Sequence, residues 1–451
     1  MGRLFGTDGI RGEANRYPMD AATAFAVGQA MTRALKREGH IPRVIIGKDT
    51  RISGYMLESS LESGVTSMGG YAYLVGVAPT PAIAYLTESM RADAGFVISA
   101  SHNPYHDNGI KAFAGNGCKL SDEQEAEIED LVLGGELPEM VPAPKGMGRA
   151  KRLDDALGRY VVFLKNTFPR GLTMENLKVA MDVANGATYK VAPMAFTELG
   201  AEVTVIHDEP NGFNINDGCG SQHTQDLSKT VVETGSAIGL AFDGDGDRLI
   251  AVDEKGNTIT GDQILMICAK MLKDEGRLTN DLLVTTVMSN LGLRVAAANA
   301  GIRHHASKVG DRNVLEDMKA MGAVLGGEDS GHVIFLEHHT TGDGILTALQ
   351  LVAAMLKEGK PLSQMAAEAM DVFPQRLVNI RVARKPEIDT VPEIMAAIAE
   401  AEAELDGNGR VLVRYSGTES LCRVMVEGPT AQVTDCWADR VADVVRVVLG
   451  E

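Results

Sequence analysis

Three absences narrow the class of this 451-residue chain. No apolar run reaches the roughly 18 residues needed to cross a bilayer, and Gly6 stands where an N-myristoylation signal needs Ser or Thr. No CxxC pair occurs among the cysteines, so we expect free thiols in a reducing cytoplasm. An excess of basic residues is also missing, since the net charge is -18, which disfavours nucleic acid and anionic membranes as partners. The cysteines are Cys118, Cys219, Cys268, Cys422 and Cys436.

The length and the order of apolar runs predict several α/β domains. A single hydrophobic core stops growing at roughly 250 to 300 residues, so this chain must divide. Strand-like runs followed by helix-like stretches recur over its first three quarters, which is typical of parallel sheets covered by helices. Segments beginning at residues 44, 179 and 282 share a strand, a helix and a glycine. A βαβ unit used three times and the common α/β pattern both explain this similarity.

Two stretches predict domain boundaries. Residues 134–148 are rich in glycine and proline and predict a linker before a helix near 153–166. A second junction is expected near 254–260. A helix is predicted over 345–357, with capping side chains before it. Beyond residue 373, strands near 377–382, 411–414 and 421–426 and helices near 391–405 and 433–449 predict a small α+β domain.

The sequence DGDGDR at residues 243–248 lies between two strand-like runs and predicts a metal site. Its three aspartates would repel one another if they converged without a cation, and the glycines allow a turn tight enough to bring them together. All-oxygen ligation favours Mg²⁺ or Ca²⁺. An EF-hand is disfavoured because Arg248 occupies the position that needs glycine. The remaining alternative is an acidic hairpin turn without a ligand.

Three further stretches carry polar groups suited to a phosphorylated substrate. The strand-like run ending in SASHNP places Ser101 at the edge of a sheet, where a phosphate ester on serine would resist hydrolysis; a polar turn with a capping serine is the alternative. The sequence RYSGTE at 414–419 can enclose a phosphate dianion, or form an ordinary hairpin turn. The sequence GGEDSGH at 326–332 offers groups for sugar hydroxyls and proton transfer.

With these four stretches in this order, the sequence resembles the alpha-D-phosphohexomutase superfamily over essentially its whole length. The stretches at residues 5–12, 47–54 and 308–312 resemble its glucosamine branch more than its mannose or glucose branches. The resemblance implies an α/β fold of four domains around a central cleft. Three similar α/β/α domains with mixed sheets, at 1–150, 151–256 and 257–372, would carry the phosphoserine, metal and sugar loops, and a smaller α+β domain at 373–451 the phosphate loop.

The resemblance also implies roles for particular residues. Ser101 would be the phosphoserine and would bind one Mg²⁺ together with three aspartates. Tyr415 is bulky at a variable position, and Ser420 stands where proline is usual, so both depart from the family pattern. The implied residues are Asp243, Asp245 and Asp247 for the metal; Arg11, Lys111 and His332 for charge stabilisation and proton transfer; Arg248 beside the reacting phosphate; Glu328 and Ser330 for the sugar; and Arg414, Ser416, Gly417, Thr418 and Arg423 for the other phosphate.

The implied activity is that of an isomerase acting on a small hexosamine phosphate. It would interconvert glucosamine 6-phosphate and glucosamine 1-phosphate through a phosphoserine and glucosamine 1,6-bisphosphate, supplying UDP-N-acetylglucosamine and cell-wall precursor synthesis. That bisphosphate or glucose 1,6-bisphosphate would be the activator, and a homodimer is the assembly to test. The alternatives are a phosphoglucomutase or phosphomannomutase, a Mg²⁺-dependent sugar phosphatase, and a silent sugar-phosphate-binding protein.

Overall fold

The computed structural model describes residues 4–6, 8–416 and 420–450. These ranges contain 18 β-strands in four sheets and 14 α-helices. They divide into two compact units. The first unit comprises the described residues up to Val287 together with Arg303–Ala367, and the second comprises Met288–Ile302 and the described residues from Glu368 onward. No helix in the described ranges is both long enough and apolar enough to cross a membrane.

The first sheet belongs to the first unit and has six strands. Its elements are β1 (Ile10–Glu13), α1 (Ala21–Ala34), β2 (Arg43–Lys48), α2 (Ser53–Ser67), β3 (Tyr71–Val77), α3 (Thr80–Ser89), β4 (Ala94–Ile98), β5 (Asp107–Ala114), α4 (Asp122–Gly134) and β6 (Arg149–Arg152). The strand order is β1-β5-β4-β2-β3-β6. The sheet is mixed because β5 runs antiparallel to both neighbours. All residues of β4 are buried, as expected for a strand covered on both faces.

The second sheet, also in the first unit, ends in the hairpin that carries the DGDGDR sequence. Its elements are α5 (Ala156–Thr167), β7 (Lys178–Asp182), α6 (Val191–Glu198), β8 (Glu202–Ile206), α7 (Gln225–Thr234), β9 (Ile238–Phe242), β10 (Leu249–Asp253) and β11 (Thr258–Ile259). The order is β11-β10-β9-β7-β8. Strand β7 is parallel to β8 and β9, whereas β9 and β10 are antiparallel, with Phe242 opposite Leu249. Residues 243–248 therefore form the turn between two strands.

The third sheet completes the first unit. The elements of this region are α8 (Gly261–Asp274), β12 (Leu282–Thr286), α9 (Leu291–Asn299), β13 (Arg303–Ser307), α10 (Asp311–Met321), β14 (Leu325–Gly327), β15 (Val333–Phe335), α11 (Gly344–Glu358) and α12 (Leu362–Ala369). The order is β13-β12-β14-β15, with β14 and β15 antiparallel. Helix α11 begins where predicted, because Asp343 accepts a hydrogen bond of 2.9 Å from the N–H of Leu346. Helix α9 lies in the second unit.

The fourth sheet lies in the second unit and is wholly antiparallel. Its elements are β16 (Gln375–Arg381), α13 (Pro392–Leu405), β17 (Arg410–Tyr415), β18 (Leu421–Glu427) and α14 (Ala431–Leu449), with strand order β16-β18-β17. Trp437 of α14 is 2% exposed and belongs to the core between helices and sheet. Every strand and helix predicted beyond residue 373 is present, so the predicted small α+β fold is confirmed.

Each of the three similar segments consists of two parallel strands with a helix between them in the chain. Strands β2 and β3, β7 and β8, and β12 and β13 are parallel pairs, and α2, α6 and α9 connect them in the chain. Strand β6 was not predicted. Its sequence, Arg149–Arg152, is polar and fully exposed at the sheet edge, so it carries no apolar signal. All five cysteines are free thiols.

Candidate active site

Ser101 lies in the loop that follows β4, at the edge where α/β sheets present ligands. Its backbone φ is 52°, and the residue is 2% exposed. Its Oγ donates a hydrogen bond of 2.6 Å to Oδ2 of Asp243. Nδ1 of His102 lies 3.4 Å from the same Oγ. A left-handed serine persists only where its surroundings determine the conformation, so the loop directs this hydroxyl at a carboxylate of the second sheet.

Arg51 fixes the backbone of this loop. The side chain is fully buried and its Nε donates to Oδ2 of Asp49 at 2.9 Å. Its NH2 group donates to the carbonyl oxygens of Ser101 and Asn103, each at 2.9 Å. Its NH1 group donates to the carbonyl of Pro104. One planar guanidinium thus satisfies three carbonyls of a turn that has no sheet partners of its own.

Two other side chains also bond to this loop. Oγ of Ser99 accepts from the N–H of Ser101 at 2.9 Å and donates to Asp49 at 2.6 Å. From the second sheet, Nδ2 of Asn216 donates to the carbonyls of Ser101 and Asn103 at 2.9 and 3.0 Å. The position of Ser101 is therefore determined jointly by residues that follow strands of the first and second sheets.

The three aspartates of the turn between β9 and β10 converge in the interior. Ligand oxygens of Asp243, Asp245 and Asp247 lie within 4.8 Å of one another. Burial, followed by repulsion from the other two carboxylates, raises the pKa of Asp243 well above its usual range. Oδ1 of Asp245 and Oδ1 of Asp247 are buried without a hydrogen-bond partner among the described residues. Converging carboxylates with unsatisfied buried oxygens fit a hard divalent ion, and this acidic triad supports Mg²⁺ binding.

Glycines allow this turn to approach the serine loop, which comprises residues 99–106 between β4 and β5. Gly246 has a φ of 73°, which favours glycine. A Cβ on Gly244 would lie 2.6 Å from the carbonyl oxygen of Ser101. The flanking elements are strands, and Glu254 accepts hydrogen bonds from Ser363 instead of facing the turn. The expectation that this is no EF-hand is therefore confirmed.

Lys111 brings a positive charge to the aspartates. It lies on β5 opposite Val97 of β4. Its Nζ is 2.9 Å from Oδ2 of Asp245 and 3.5 Å from Oδ2 of Asp247. Burial opposes its charge, but Asp245 and further carboxylates outweigh burial and raise the pKa of Lys111. Oγ1 of Thr80 also donates to Oδ2 of Asp245, at 2.6 Å, so this oxygen has two donors while Oδ1 of the same carboxylate has none among the described residues.

Asp8 forms ion pairs with three cationic side chains of the site. Arg11 and Lys119 both contact its carboxylate, and Lys111 lies 3.4 Å from it. Lys119 also contacts Asp311 at the start of α10. The three cations hold the pKa of Asp8 well below its usual range, despite the opposing effect of burial. Alternating charges thus extend from the turn at residues 243–248, the metal turn, to the third sheet.

The loop between β14 and β15 stands beside this charge array. Glu328 accepts from the N–H of Gly310 at 3.1 Å, and Ser330 is exposed. Both ring nitrogens of His332 are buried and have no hydrogen-bond partner within the described part of the chain. Its Nε2 is 3.7 Å from Oδ2 of Asp311. Lys119, Asp311 and His332 share the wall of a cavity of about 290 Å³, so ionisable groups of two sheets face one space.

Arg248 ties the metal turn to this loop. Its backbone N–H donates to Oδ1 of Asp243 at 3.2 Å, and its Nε lies 3.8 Å from Oδ1 of Asp247. Burial opposes the charge, whereas the two aspartates and Glu328 raise the pKa of Arg248. The N–H of the next residue donates to the carbonyl of Gly331 at 3.0 Å. The end of the metal turn and the loop after β14 are therefore neighbours.

The predicted phosphate cradle belongs to the second unit. Arg414 on β17 stands directly opposite Arg423 on β18. The N–H of Ser416 donates to the carbonyl of Leu421 at 2.8 Å, and Lys385 donates to the carbonyl of Ser416 at 3.2 Å. This register pairs two arginines on neighbouring strands, one of them two positions before Ser416. Gly417 and Thr418, which were also predicted to bind phosphate, lie outside the described residues.

Comparison with known proteins identifies the family of this chain. Four phosphoglucomutase/phosphomannomutase domain patterns match: alpha/beta/alpha domain I at residues 2–138, alpha/beta/alpha domain II at 159–256, alpha/beta/alpha domain III at 260–373 and the C-terminal domain at 377–444. The phosphoglucosamine mutase of Syntrophobacter fumaroxidans is 69% identical over 100% of both chains. The chain belongs to the phosphoglucosamine mutase family. The enzyme of that name from Syntrophus aciditrophicus is 60% identical, again over 100% of both chains.

Solved structures share the fold of this phosphoglucosamine mutase family member. A phosphoglucomutase/phosphomannomutase family protein from Burkholderia thailandensis superposes with a TM-score of 0.81 at 23% identity, covering 98% of this chain and 97% of its own. N-acetylphosphoglucosamine mutase of Aspergillus fumigatus, solved with GlcNAc-6P and magnesium, gives 0.69 at 18% identity, covering 98% and 95%. At such identities the likeness concerns the fold alone. The predicted superfamily, its four-domain composition and its mutase class are confirmed.

Several residues of the site were not predicted. Asp8 and Asp49 lie in stretches that had been noted only as marks of the glucosamine branch, although a charged residue next to a buried strand was a usable signal. Thr80 and Asn216 carried no signal, because each reaches the site from a segment remote in sequence. Lys119 was missed since its partners come from both the first and the third sheet.

Proposed function

We propose that this protein interconverts glucosamine 6-phosphate and glucosamine 1-phosphate with Ser101 as its phosphoryl carrier. The observation that carries the proposal is the buried Ser101 hydroxyl, which donates at 2.6 Å to one carboxylate of a converging aspartate triad. A phosphate ester on serine survives between turnovers better than an acyl phosphate, which suits a carrier. The amino sugar is supported by the relatives named phosphoglucosamine mutase.

Asp243, Asp245 and Asp247, together with Ser101, are the proposed holders of Mg²⁺. The bound ion would neutralise charge on the transferring phosphoryl group and on the serine oxygen. Lys111 is already positioned 2.9 Å from Asp245, so it holds this carboxylate in place and adds a positive charge beside the reacting group.

The proposed reaction moves two phosphoryl groups through one intermediate. The bond between phosphorus and Oγ of Ser101 breaks as O1 of glucosamine 6-phosphate bonds to phosphorus and loses its proton. The resulting 1,6-bisphosphate turns over, and its 6-phosphoryl group returns to Ser101. The 6-hydroxyl gains a proton, leaving glucosamine 1-phosphate. Glucosamine or glucose 1,6-bisphosphate is the proposed activator because it can phosphorylate an unmodified Ser101.

Proton transfer and charge stabilisation are assigned to three side chains. His332 can accept and return a proton, because its ring nitrogens are buried without partners among the described residues and it faces the 290 Å³ cavity. Arg11 and Arg248 are proposed to stabilise the charge that spreads over the transferring oxygens. Glu328 and Ser330, on the loop that ends at His332, are assigned to the sugar hydroxyls.

The phosphate that does not react is assigned to the loop of the second unit. Arg414 and Arg423 are opposite each other, and two guanidiniums on neighbouring strands can both give a dianion charge-assisted hydrogen bonds. Ser416, Gly417 and Thr418 complete the proposed set. Lys385, which donates to the carbonyl of Ser416, is positioned to support this loop and adds to its positive charge.

The direct test compares wild type with Ser101→Ala in an assay primed with glucose 1,6-bisphosphate. Glucosamine 1-phosphate formation and intact-protein mass are followed together. We expect one added phosphoryl group and rapid turnover in wild type, and neither in the variant. Ser63→Ala is the matched control, since this serine is exposed and, among the described residues, its hydroxyl bonds to a carbonyl within α2. Full mutase activity in Ser101→Ala would disprove the carrier role.

The same assay decides between sugars. Parallel reactions with glucosamine, glucose and mannose 6-phosphates should give the highest kcat/KM for the amino sugar. A preference for glucose or mannose would reassign the chain to the phosphoglucomutase or phosphomannomutase activity. Release of inorganic phosphate instead of isomerisation would indicate a phosphatase.

Boundaries, location and assembly complete the proposal. Boundaries after residues 150, 256 and 372 are supported by family matches that end or begin at or near them. A cytoplasmic location is supported by five cysteines that remain free thiols. The homodimer is the assembly to test by light scattering on the eluting protein, and a monomer mass would reject it.

A further inference from the structure

A second group of metal-ligating side chains lies at the carboxyl edge of the second sheet and shares no residue with the aspartate triad. Asp182 ends β7, and His207 follows Ile206, the residue paired with Asp182 on β8. Cys219 comes from the segment between β8 and α7. One ligand atom from each of the three side chains lies within 4.8 Å of the others. Parallel neighbouring strands therefore deliver a carboxylate and an imidazole to one point, where a thiol joins them.

Hydrogen bonding within the group leaves room for an ion. Oδ1 of Asp182 accepts from the N–H of Ala184 at 2.9 Å, and Oδ2 accepts from the N–H of Gly220 at 2.8 Å. Each oxygen keeps a further lone pair. Nδ1 of His207 is 3.0 Å from Oδ2 of Asp182, yet it is buried and makes no hydrogen bond with any described residue. The contact is an ordinary ion pair while the imidazole is protonated, and a divalent ion would take the place of that proton.

Nε2 of His207 lies near a carboxylate, as the second ring nitrogen of a metal-bound histidine usually does. Nε2 of His207 lies 3.5 Å from Oδ2 of Asp226, an exposed residue at the start of α7. Metal-binding histidines characteristically direct their second N–H at a carboxylate, which fixes the tautomer and leaves the other nitrogen free to coordinate. Here the arrangement would keep the proton on Nε2 and direct the lone pair of Nδ1 toward the thiol and Asp182.

We propose that Asp182, His207 and Cys219 form a binding site for a borderline divalent transition-metal ion of the Zn²⁺ class. A thiolate, an imidazole and a carboxylate are the ligands that such ions prefer, whereas Mg²⁺ prefers oxygen alone. Ligands at Zn²⁺ bond lengths stand about 3.5 Å apart in a tetrahedron, so atoms that lie within 4.8 Å of one another reach this spacing by small side-chain adjustments. On binding, the Cys219 thiol loses its proton to solvent and water fills the fourth position.

Occupancy of this site would act on the serine loop. Asn216 lies three positions before Cys219, and its side chain holds the carbonyls of Ser101 and Asn103. Its N–H donates to the carbonyl of Ala184 at 3.0 Å, two positions after Asp182. An ion that joins Asp182 to Cys219 would therefore stiffen the segment that presents Asn216, and would reduce the mobility of the reacting loop.

The test uses Co²⁺, whose bond to a thiolate absorbs in the near ultraviolet and whose four-coordinate complexes have intense visible bands. The full chain carrying Cys118→Ser and Cys436→Ser is the parent, because these two thiols are accessible. It is titrated in saturating Mg²⁺, so that the aspartate triad is occupied. Cys219→Ser and His207→Gln are added singly, with Cys268→Ser as the matched control, since Cys268 is also buried but has no place in the group.

We expect the parent to bind one equivalent of Co²⁺ with a thiolate band that equimolar Zn²⁺ removes. The thiolate band should be absent in Cys219→Ser and should persist in Cys268→Ser. In His207→Gln the apparent affinity for Co²⁺ should fall at least tenfold. Zn²⁺ should also raise the melting temperature of the parent more than that of Cys219→Ser. Absence of a thiolate band in the parent would overturn the proposal whatever the folding of the variants, and so would a band that persists in Cys219→Ser.

Discussion

Replacement of Arg51 by methionine tests how the serine loop is held. Methionine has a similar length and preserves the apolar packing of the buried side chain, but it removes every donor. The substitution leaves the Asp49 carboxylate without its cation and leaves the carbonyls of Ser101, Asn103 and Pro104 without the donors that Arg51 gives them. The perturbation is therefore electrostatic and local to the loop.

The expected magnitude follows from burial. Removing one partner of a buried ion pair costs about 3–5 kcal/mol, and a carbonyl that loses a donor adds about 1 kcal/mol. Even the lower figure of about 3 kcal/mol corresponds to roughly a hundredfold change in a local opening equilibrium, at about 1.4 kcal/mol per factor of ten. A shift of about 1 Å in the reacting group also lowers turnover by roughly a hundredfold.

Hydrogen exchange is the assay, because it reports opening of the loop by itself. The amide of Ser101 bonds to Ser99, and that of Asn103 bonds to the carbonyl of Ala100. We expect their exchange to accelerate about a hundredfold in Arg51→Met, with a comparable fall in kcat. Arg159→Met is the matched control, since the ion pair that this arginine forms with Asp155 at the start of α5 is exposed. Unchanged exchange at residues 99–104 with normal turnover would refute the role given to Arg51.

Two further substitutions give independent tests. Gly244→Ala places a Cβ 2.6 Å from the carbonyl oxygen of Ser101 and should reduce kcat at least tenfold. The control, Gly158→Ala, adds its Cβ in open space within α5 and should raise the melting temperature slightly. Equal activity of the two variants would contradict the close approach of Gly244 to Ser101. Burial lowers the pKa of His339 from 6.5 to about 4, despite its hydrogen bond to Pro81, so the unfolded chain binds the proton more tightly. Stability should fall by about 3 kcal/mol as the pH drops from about 6.5 to about 4, and His339→Gln should show a shallower fall in thermal midpoint over this window; an identical pH profile would reject the assignment.

The fold and the central site were largely predictable from local patterns. The DGDGDR turn has three closely spaced carboxylates that repel one another, and apolar strands flank it. Both properties can be recognised from residues that are adjacent in the sequence. The helix after Asp343 and the small α+β domain followed from periodicity and capping for the same reason. Ser101 was less clear by itself, since its interest depends on a carboxylate that is 142 positions away.

The parts that escaped prediction depend on contacts between distant segments. Arg51 lies in a stretch that was noted only because it resembles the glucosamine branch. Its hydrogen bonds to the carbonyls of the loop after β4 become visible only in the folded structure. Thr80 is an ordinary helix-start threonine until Asp245 approaches it from the second sheet. Strand β6 is polar and exposed, so its pairing with β3 comes from tertiary structure alone. The Asp182, His207 and Cys219 group is likewise assembled from three separate segments.

The most direct test of the account follows the phosphoryl group itself. Enzyme carrying an isotopically labelled phosphoryl group on Ser101 is mixed with unlabelled glucosamine 6-phosphate and quenched during the first turnover. The account predicts that the label leaves the protein for position 1 of the sugar, first in the bisphosphate and then in glucosamine 1-phosphate, while Ser101 is phosphorylated again by an unlabelled group. Label that is released as inorganic phosphate, or that stays on the protein while glucosamine 1-phosphate forms, would contradict it.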